Sequence, residues 1–117
     1  MMTAEKLFSD LEEKYDDGFH WHLIPLTDDY FVFELKREIG VNHFLYHTKI
    51  WAVAKCDSND DVLFVTAGKG ESEVIYYLFH LTYSDSNMDG YPKYKIFVGI
   101  EKVKEYLENE LSNQEGV

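Results

Sequence analysis

The run VIYYLFHLTY, residues 74–83, constrains the fold of this chain more than any other segment. It is apolar or aromatic almost throughout, and its length and composition are typical of a strand in the core of a sheet. Because successive side chains of a strand point to opposite faces, His80 and Thr82 share the face of Leu78. The run therefore indicates a core strand whose last residues on one face are polar.

Four further segments have the composition of strands. Alternation in 19–25 predicts a half-buried strand that ends at Pro25. The segment 48–56 is apolar on both faces, which is typical of an interior strand. Short polar segments separate the later strands, and such connections predict antiparallel hairpins. The strands and turns predicted in this part of the chain are 48–56, the turn DSND at 57–60, 61–66, the turn AGKGES at 67–72, 73–83, the loop 84–93, and 94–98.

Three segments have helical periodicity. Residues 4–16 carry one apolar stripe and follow Thr3, a residue suited to capping a helix. Ile100, Val103 and Leu107 recur at helical spacing and predict an amphipathic helix from about residue 99. The segment 27–40 is compatible with a strand, but a capping Thr27 or Asp28 and the terminal Gly40 favour a helix.

The order of these elements predicts an α+β fold. We expect one domain over residues 1–117, with an antiparallel sheet of about four to five strands. An N-terminal helix, a middle helix and a C-terminal amphipathic helix complete it. A chain of 117 residues is long enough for one core and too short for two.

Charge limits the classes of partner. With 22 acidic and 11 basic residues, the chain has a formal net charge of −11. Such a surface repels phosphate, so we expect no nucleic-acid or anionic-membrane partner; the charge serves solubility, its commoner role in small acidic proteins, or attracts a basic protein. The acidic residues are spread along the sequence, with excesses over 1–17 and 101–117. The sequence has no apolar run long enough for a membrane span and no apolar signal core, which predicts a cytoplasmic protein.

Signatures of catalysis, cofactors and metals are absent from the sequence. GKGES lacks the glycine spacing of a phosphate-binding loop, and no G-x-S-x-G turn occurs. Cys56, the single cysteine, precludes an internal disulfide and precedes an acidic turn that disfavours a thiolate. His20 and His22 have the spacing of a strand-borne ligand pair but lack a third ligand. We therefore expect no metal and no cofactor.

Several polar residues remain candidates for a site. Glu34 and Glu38 are four residues apart, on one face of the middle helix, where paired carboxylates share a proton, bind a cation, receive a basic side chain or lie in solvent. Asp60 and Asp61 precede a strand, where an acidic pair most simply forms the turn and repels pairing at a sheet edge. His43 follows the middle helix in a connecting segment.

The chain resembles a group of small bacterial proteins of uncharacterised function. The resemblance rests on E-L-x-x-E-I at 34–39, H-x-L-Y at 43–46, D-D-V-L-F at 60–64 and H-L-T-Y at 80–83. It departs from the group at Phe44, where proline is expected, and at Tyr83, where tryptophan is expected. It implies one set of polar site residues: Glu34, Glu38, His43, Asp60, Asp61, His80 and Thr82. D-D-V-L-F, the aromatic strand and the final helix also resemble, more weakly, the SMI1/KNR4-like domain, which includes toxin-immunity proteins.

Two functions follow from these observations. The first is a non-enzymatic binding domain, immunity-like, for a basic protein. The second is a small hydrolase that uses Glu34, His43, Asp61 and His80. They differ in geometry, because only the hydrolase requires these side chains to converge in an open cleft. Oligomeric state and partner identity do not follow from the sequence.

The polar end of the 74–83 run leads to a specific prediction. We expect His80 and Thr82 to bond polar groups of the segment 34–43. A buried polar group without a partner costs about 1–3 kcal/mol, and this segment is the nearest source of partners in the pattern.

Overall fold

A computed structural model describes residues 3–66, 74–83 and 92–115 of this chain, with side chains up to residue 111. The described elements, in order, are α1 (Ala4–Tyr15), a 3₁₀ turn (Asp16–Gly18), β1 (Trp21–Leu23), α2 (Tyr30–Ile39), β2 (Ile50–Cys56), β3 (Asp61–Thr66), β4 (Ile75–His80), β5 (Tyr94–Val98) and α3 (Ile100–Glu115). This is the predicted α+β fold, and α2 settles the ambiguity of the middle segment in favour of a helix.

The five strands form one antiparallel sheet in sequence order. A short connection joins β2 to β3, as the hairpin pattern predicts, whereas the connection from β1 to β2 contains α2. Residues 57–60 form the predicted turn between β2 and β3. The predicted turn at 67–72 and most of the loop at 84–93 lie outside the described residues.

Local sequence accounts for the helix boundaries. Thr3 caps α1 by accepting a hydrogen bond from the backbone N–H of Lys6 at 3.1 Å. The Asp28 carboxylate accepts one from the N–H of Tyr30 at 3.1 Å, at the start of α2. Gly40 ends α2 with φ of 77°, a backbone conformation that glycine adopts without steric cost.

Each face of the sheet has its own apolar core. On one face, α1 and α3 cover Leu63, Tyr76 and Leu78. On the other face, α2 and the segment after it cover Phe64, Phe79 and their neighbours. We call these the α1/α3 face and the α2 face.

A shift of register in β2 allows this strand to contribute side chains to both cores. The register between β2 and β3 shifts between Ala52 and Ala54. As a result, Ala52 lies in the core of the α2 face, whereas Val53 and Ala54 both lie in the core of the α1/α3 face. This is why the segment is apolar at almost every position.

The long strand ends earlier than predicted. β4 stops at His80, and the backbone N–H of Leu81 bonds the carbonyl of Asp60 at 3.1 Å. His80 keeps the strand alternation, but Thr82 does not. The prediction that His80 and Thr82 share one face is therefore wrong, because alternation holds only while the strand continues.

Among the described residues, no helix combines the length and the apolar content that crossing a lipid bilayer requires.

Candidate functional site

The carboxylate of Glu38 is the most enclosed charged group among the described residues. Glu38 is 7% exposed and lies one residue before the end of α2. One oxygen accepts hydrogen bonds from the backbone N–H of Thr82 at 2.7 Å and from the Thr82 hydroxyl at 2.9 Å. The other accepts from the backbone N–H of Tyr83 at 2.9 Å. Thr82 is thus bonded to the segment 34–43, as predicted.

This contact explains how β4 ends. Tyr83 has φ of 56°, which is uncommon for a residue with a side chain. Consecutive N–H groups at 82 and 83 point at a single carboxylate, which satisfies both donors in place of a strand partner. Glu38 therefore fixes the exit of the chain from the sheet against α2.

Glu34 and Glu38 form a carboxyl pair with pKa values shifted in opposite directions. Burial raises the pKa of Glu34, and its hydrogen bond with Glu38 raises it further, against the lowering effect of Arg37. Burial by itself raises the pKa of Glu38, but hydrogen bonds from Glu34, Thr82 and Tyr83 hold that pKa below its usual value. The pair thus favours a proton on Glu34 and a negative charge on Glu38.

Arg37 completes this group. Its guanidinium donates to both carboxyl oxygens of Glu34, at 3.3 Å and 2.5 Å. The Glu34 side chain is only 13% exposed. Glu34 and Glu38 thus lie in a hydrogen-bonded network, and the alternative of a solvated helix face is wrong for them.

His80 has a different partner from the one predicted. Its Nδ1 lies 2.7 Å from a carboxylate oxygen of Asp61, the residue opposite it on β3. The His80 side chain is 57% exposed. The prediction that His80 bonds the segment 34–43 is wrong, because His80 points to the α1/α3 face and α2 lies across the sheet.

His43 lies among aromatic rings on the α2 face. Its ring stacks on Phe44 at 4.5 Å between centroids and lies 6.1 Å from Phe79 and 6.0 Å from Tyr94. Nδ1 accepts a hydrogen bond from the backbone N–H of Leu45 at 3.1 Å, which assigns the ring proton of the neutral form to Nε2. Burial lowers the pKa of His43, so the neutral imidazole is favoured at pH 7.

The predicted set of site residues is therefore divided between the two faces. Glu34, Glu38, His43 and Thr82 belong to the α2 face. Asp61 and His80 belong to the α1/α3 face, where Asp61 lines a small cleft of about 60 Å³ with Tyr106 and Leu107. Asp60 contributes its backbone carbonyl to Leu81 at the end of the strand.

This division bears directly on the hydrolase alternative. A general base and its orienting carboxylate must lie within hydrogen-bond reach of each other. His80 and Asp61 satisfy that distance, whereas Glu34 and His43 lie on the opposite face of the sheet. The four residues do not form one cleft.

Lys36 has a structural role that the sequence did not indicate. Its ammonium group donates to the backbone carbonyls of Tyr46 and Thr48, at 2.6 Å and 2.7 Å. Burial lowers the pKa of Lys36. Lys36 thus holds the segment after α2 against the helix. Lysine spacing alone gives no signal for such contacts.

Folding gathers the acidic ends of the chain into one surface. Residues 4–18 and 100–111 carry ten acidic and four basic residues, a net charge of −6, whereas α2 carries two of each. Lys14 of α1 lies 3.9 Å from Glu108 of α3, so the two helices are neighbours on the same face. We call the outer surface of residues 4–18 and 100–111 the acidic layer.

All four basic residues of the acidic layer form ion pairs with carboxylates of the same layer. Lys6 pairs with Asp10, Lys102 with Glu105, and Lys14 and Lys104 both with Glu108. Over the part of the chain that the structure describes, the other carboxylates of the layer form no ion pair: Glu5, Glu12, Glu13, Asp16, Asp17, Glu101 and Glu110. Their charge is available to an external cation.

Among the described residues, His22 of β1 and His20, which precedes the strand, are not part of a larger ligand set. Nδ1 of His22 lies 2.5 Å from a carboxylate oxygen of Asp57, and both side chains are 55% exposed. Within residues 3–66, 74–83 and 92–115, no group of three or more histidine, cysteine, aspartate or glutamate side chains is arranged to hold a metal ion.

Comparisons of this chain with protein-family models, with curated proteins and with solved structures give no match, so the resemblance to the small bacterial group and to the SMI1/KNR4-like domain stays a prediction.

Proposed function

We propose that this chain is a non-enzymatic cytoplasmic interaction domain that binds a basic protein through its acidic layer. The observation that supports the proposal is the concentration of unpaired carboxylates on α1, the 3₁₀ turn and α3. A surface of one sign raises the rate at which an oppositely charged partner associates and selects against partners of the same sign.

The polar residues on the α2 face support the same proposal by their local roles. Glu38 satisfies the backbone at 82–83, and Lys36 satisfies backbone carbonyls in the segment after α2. Both groups are fully engaged in holding the fold together, which is the ordinary role of a buried polar network. An immunity role, in which the basic partner is a toxin, is the biological setting that the SMI1/KNR4-like resemblance implies.

The test begins with the product of any toxin-like gene adjacent to this one, purified and titrated with this chain by calorimetry. Two triple variants are then compared with the unmodified chain. The first, Glu12→Gln with Glu13→Gln and Glu101→Gln, removes three charges from the acidic layer. The second, Asp28→Asn with Asp29→Asn and Asp60→Asn, removes three charges outside it.

We expect the first variant to bind about tenfold more weakly, because three exposed charge contacts contribute about 0.5 kcal/mol each. The control variant should bind like the unmodified chain, since asparagine retains an acceptor for the N–H of Tyr30. Equal weakening by both variants would show that overall charge, and not the acidic layer, drives binding. Binding unaffected by the first variant would place the interface elsewhere.

A further inference from the structure

A second feature of the α1/α3 face is a cavity at the N-terminal end of α1. Its volume is about 520 Å³, within the range of about 300–1,000 Å³ typical of small-molecule sites. The described residues that line it lie at the start of α1, at the end of β1 and on the inner strands. It borders the acidic layer at Glu5 and is separate from the Glu38 network.

The wall of the cavity is mostly apolar. Val53, Val65 and Tyr76 form its floor on the sheet, and Leu23 and Leu26 form its margin. Leu23 is 39% exposed and Leu26 is 59% exposed. Large apolar side chains exposed next to a concave apolar wall are the usual signature of a ligand site, because a ligand that covers them removes their surface from water.

Among the described residues, one charged side chain lies at this cavity. Glu5 is exposed and lines the opening together with Thr3 and Ala4. Over the described part of the chain its carboxylate has no hydrogen bond or ion pair, unlike that of Asp10, which pairs with Lys6. Thr3 is already engaged, because its hydroxyl accepts the N–H of Lys6. The free charge at the opening is therefore negative.

The N-terminus of α1 has the opposite polarity, equivalent to about half a positive charge. The full negative charge of Glu5 exceeds it, and the net charge of −11 for the whole chain adds to the attraction of cations. A ligand head group at this opening should therefore be cationic, and the body that enters the cavity should be apolar.

We propose that this cavity binds a small molecule with one ammonium group and an aromatic or branched-alkyl body. The apolar body packs on Val53, Val65 and Tyr76, and the ammonium group lies beside the carboxylate of Glu5. The site shares Glu5 with the acidic layer, and its ligand is a free small molecule.

Three probes with the same phenyl body test the proposal by NMR titration of the backbone amides: 2-phenylethylammonium, 2-phenylethanol and phenylacetate. We expect saturable shifts at Leu23, Val65 and Tyr76, with affinity in the order ammonium, alcohol, carboxylate. Glu5→Gln should weaken the ammonium by about two- to fivefold, the range for an exposed ion pair, and leave the alcohol unchanged.

Val65→Phe, which places a ring in the cavity, should abolish saturable binding of all three probes while the chain remains folded by circular dichroism. If that variant does not fold, Leu26→Ser, at an exposed position, should weaken all three probes by the loss of apolar contact. Shifts that do not saturate, shifts at other residues, or tightest binding of phenylacetate would overturn the proposal. Equal weakening of ammonium and alcohol by Glu5→Gln would overturn the assignment of Glu5.

Discussion

On the α1/α3 face, carboxylates lie on the outer sides of two helices, in water and mostly without basic partners. On the α2 face, Glu38 is buried and accepts hydrogen bonds from Thr82 and Tyr83, and Glu34 lies beside it. The same residue type thus supplies free surface charge on one face and a fixed structural contact on the other.

The difference lies in what each carboxylate loses and gains on folding. An exposed glutamate keeps its hydration, so its removal changes the folding free energy little. Glu38 gives up water and accepts hydrogen bonds from the backbone N–H groups of Thr82 and Tyr83 and from the Thr82 hydroxyl at the end of β4. The function of a carboxylate in this chain is therefore set by its donors and its burial.

Among changes to either face, removal of α3 should reduce the stability of the fold most. A chain truncated before Gly99 loses the buried side chains of Val103, Leu107 and Leu111. Their burial contributes about 1.5–3 kcal/mol each, against a typical total stability of about 5–15 kcal/mol. We expect the truncated chain to lose cooperative unfolding in urea. A nearly unchanged midpoint would show that the α1/α3 face needs only α1.

Glu38→Ala should have the next largest effect. It leaves the N–H groups of Thr82 and Tyr83 without their acceptor, and we expect a loss of about 2–4 kcal/mol in urea denaturation. The matched control is Glu105→Ala, whose carboxylate is exposed and pairs only with Lys102. It should change stability by about 0.5 kcal/mol or less. Similar losses in both variants would remove the contrast between the two faces.

The pH dependence of stability should separate Glu38 from the exposed carboxylates. Because the folded pKa of Glu38 is lowered, its contribution is present above its usual value of 4.5 and is lost as pH falls through the folded pKa. The stability gap between the unmodified chain and Glu38→Gln should therefore narrow in acid, as measured by denaturation at a series of pH values.

Glu34 should show the opposite pH dependence of stability and so serves as an internal check. Its pKa is raised, so its favourable contribution is present below 4.5 and is lost as pH rises through the raised value. As pH rises through the raised pKa of Glu34, the free energy of unfolding should therefore fall less in Glu34→Gln than in the unmodified chain. A gap between the unmodified chain and Glu38→Gln that stays constant with pH would mean that Glu38 does not titrate as a buried, hydrogen-bonded carboxylate.

His80→Ala should have the smallest effect. The His80 ring bonds Asp61 but is 57% exposed, and exposed pairs contribute about 0.2–1 kcal/mol. We expect a change within that range by urea denaturation, well below that of Glu38→Ala. A loss as large as that of Glu38→Ala would place His80 in a network as tightly held as that of the α2 face.

The sequence by itself determined the elements and the fold class. Composition and the flanking polar segments predicted β3 and β5 at their observed bounds, and Thr3 and Gly40 marked the ends of helices, because these signals depend on the local backbone. The N-cap of α2 is Asp29, one residue after the predicted Asp28. The sequence pattern also predicted the hydrogen bond between Thr82 and the segment 34–43, since a polar residue at the end of an apolar strand needs a nearby partner.

Tertiary structure decided which polar residues meet. β4 ends at His80, so Thr82 reaches α2 while His80 faces Asp61 across the sheet, and the predicted set divides between two faces. The acidic segments at the two ends of the chain look dispersed in the sequence but become one layer, because α1 and α3 pack side by side. Strand ends and helix pairing depend on contacts between residues far apart in the chain, and local periodicity carries no information about them.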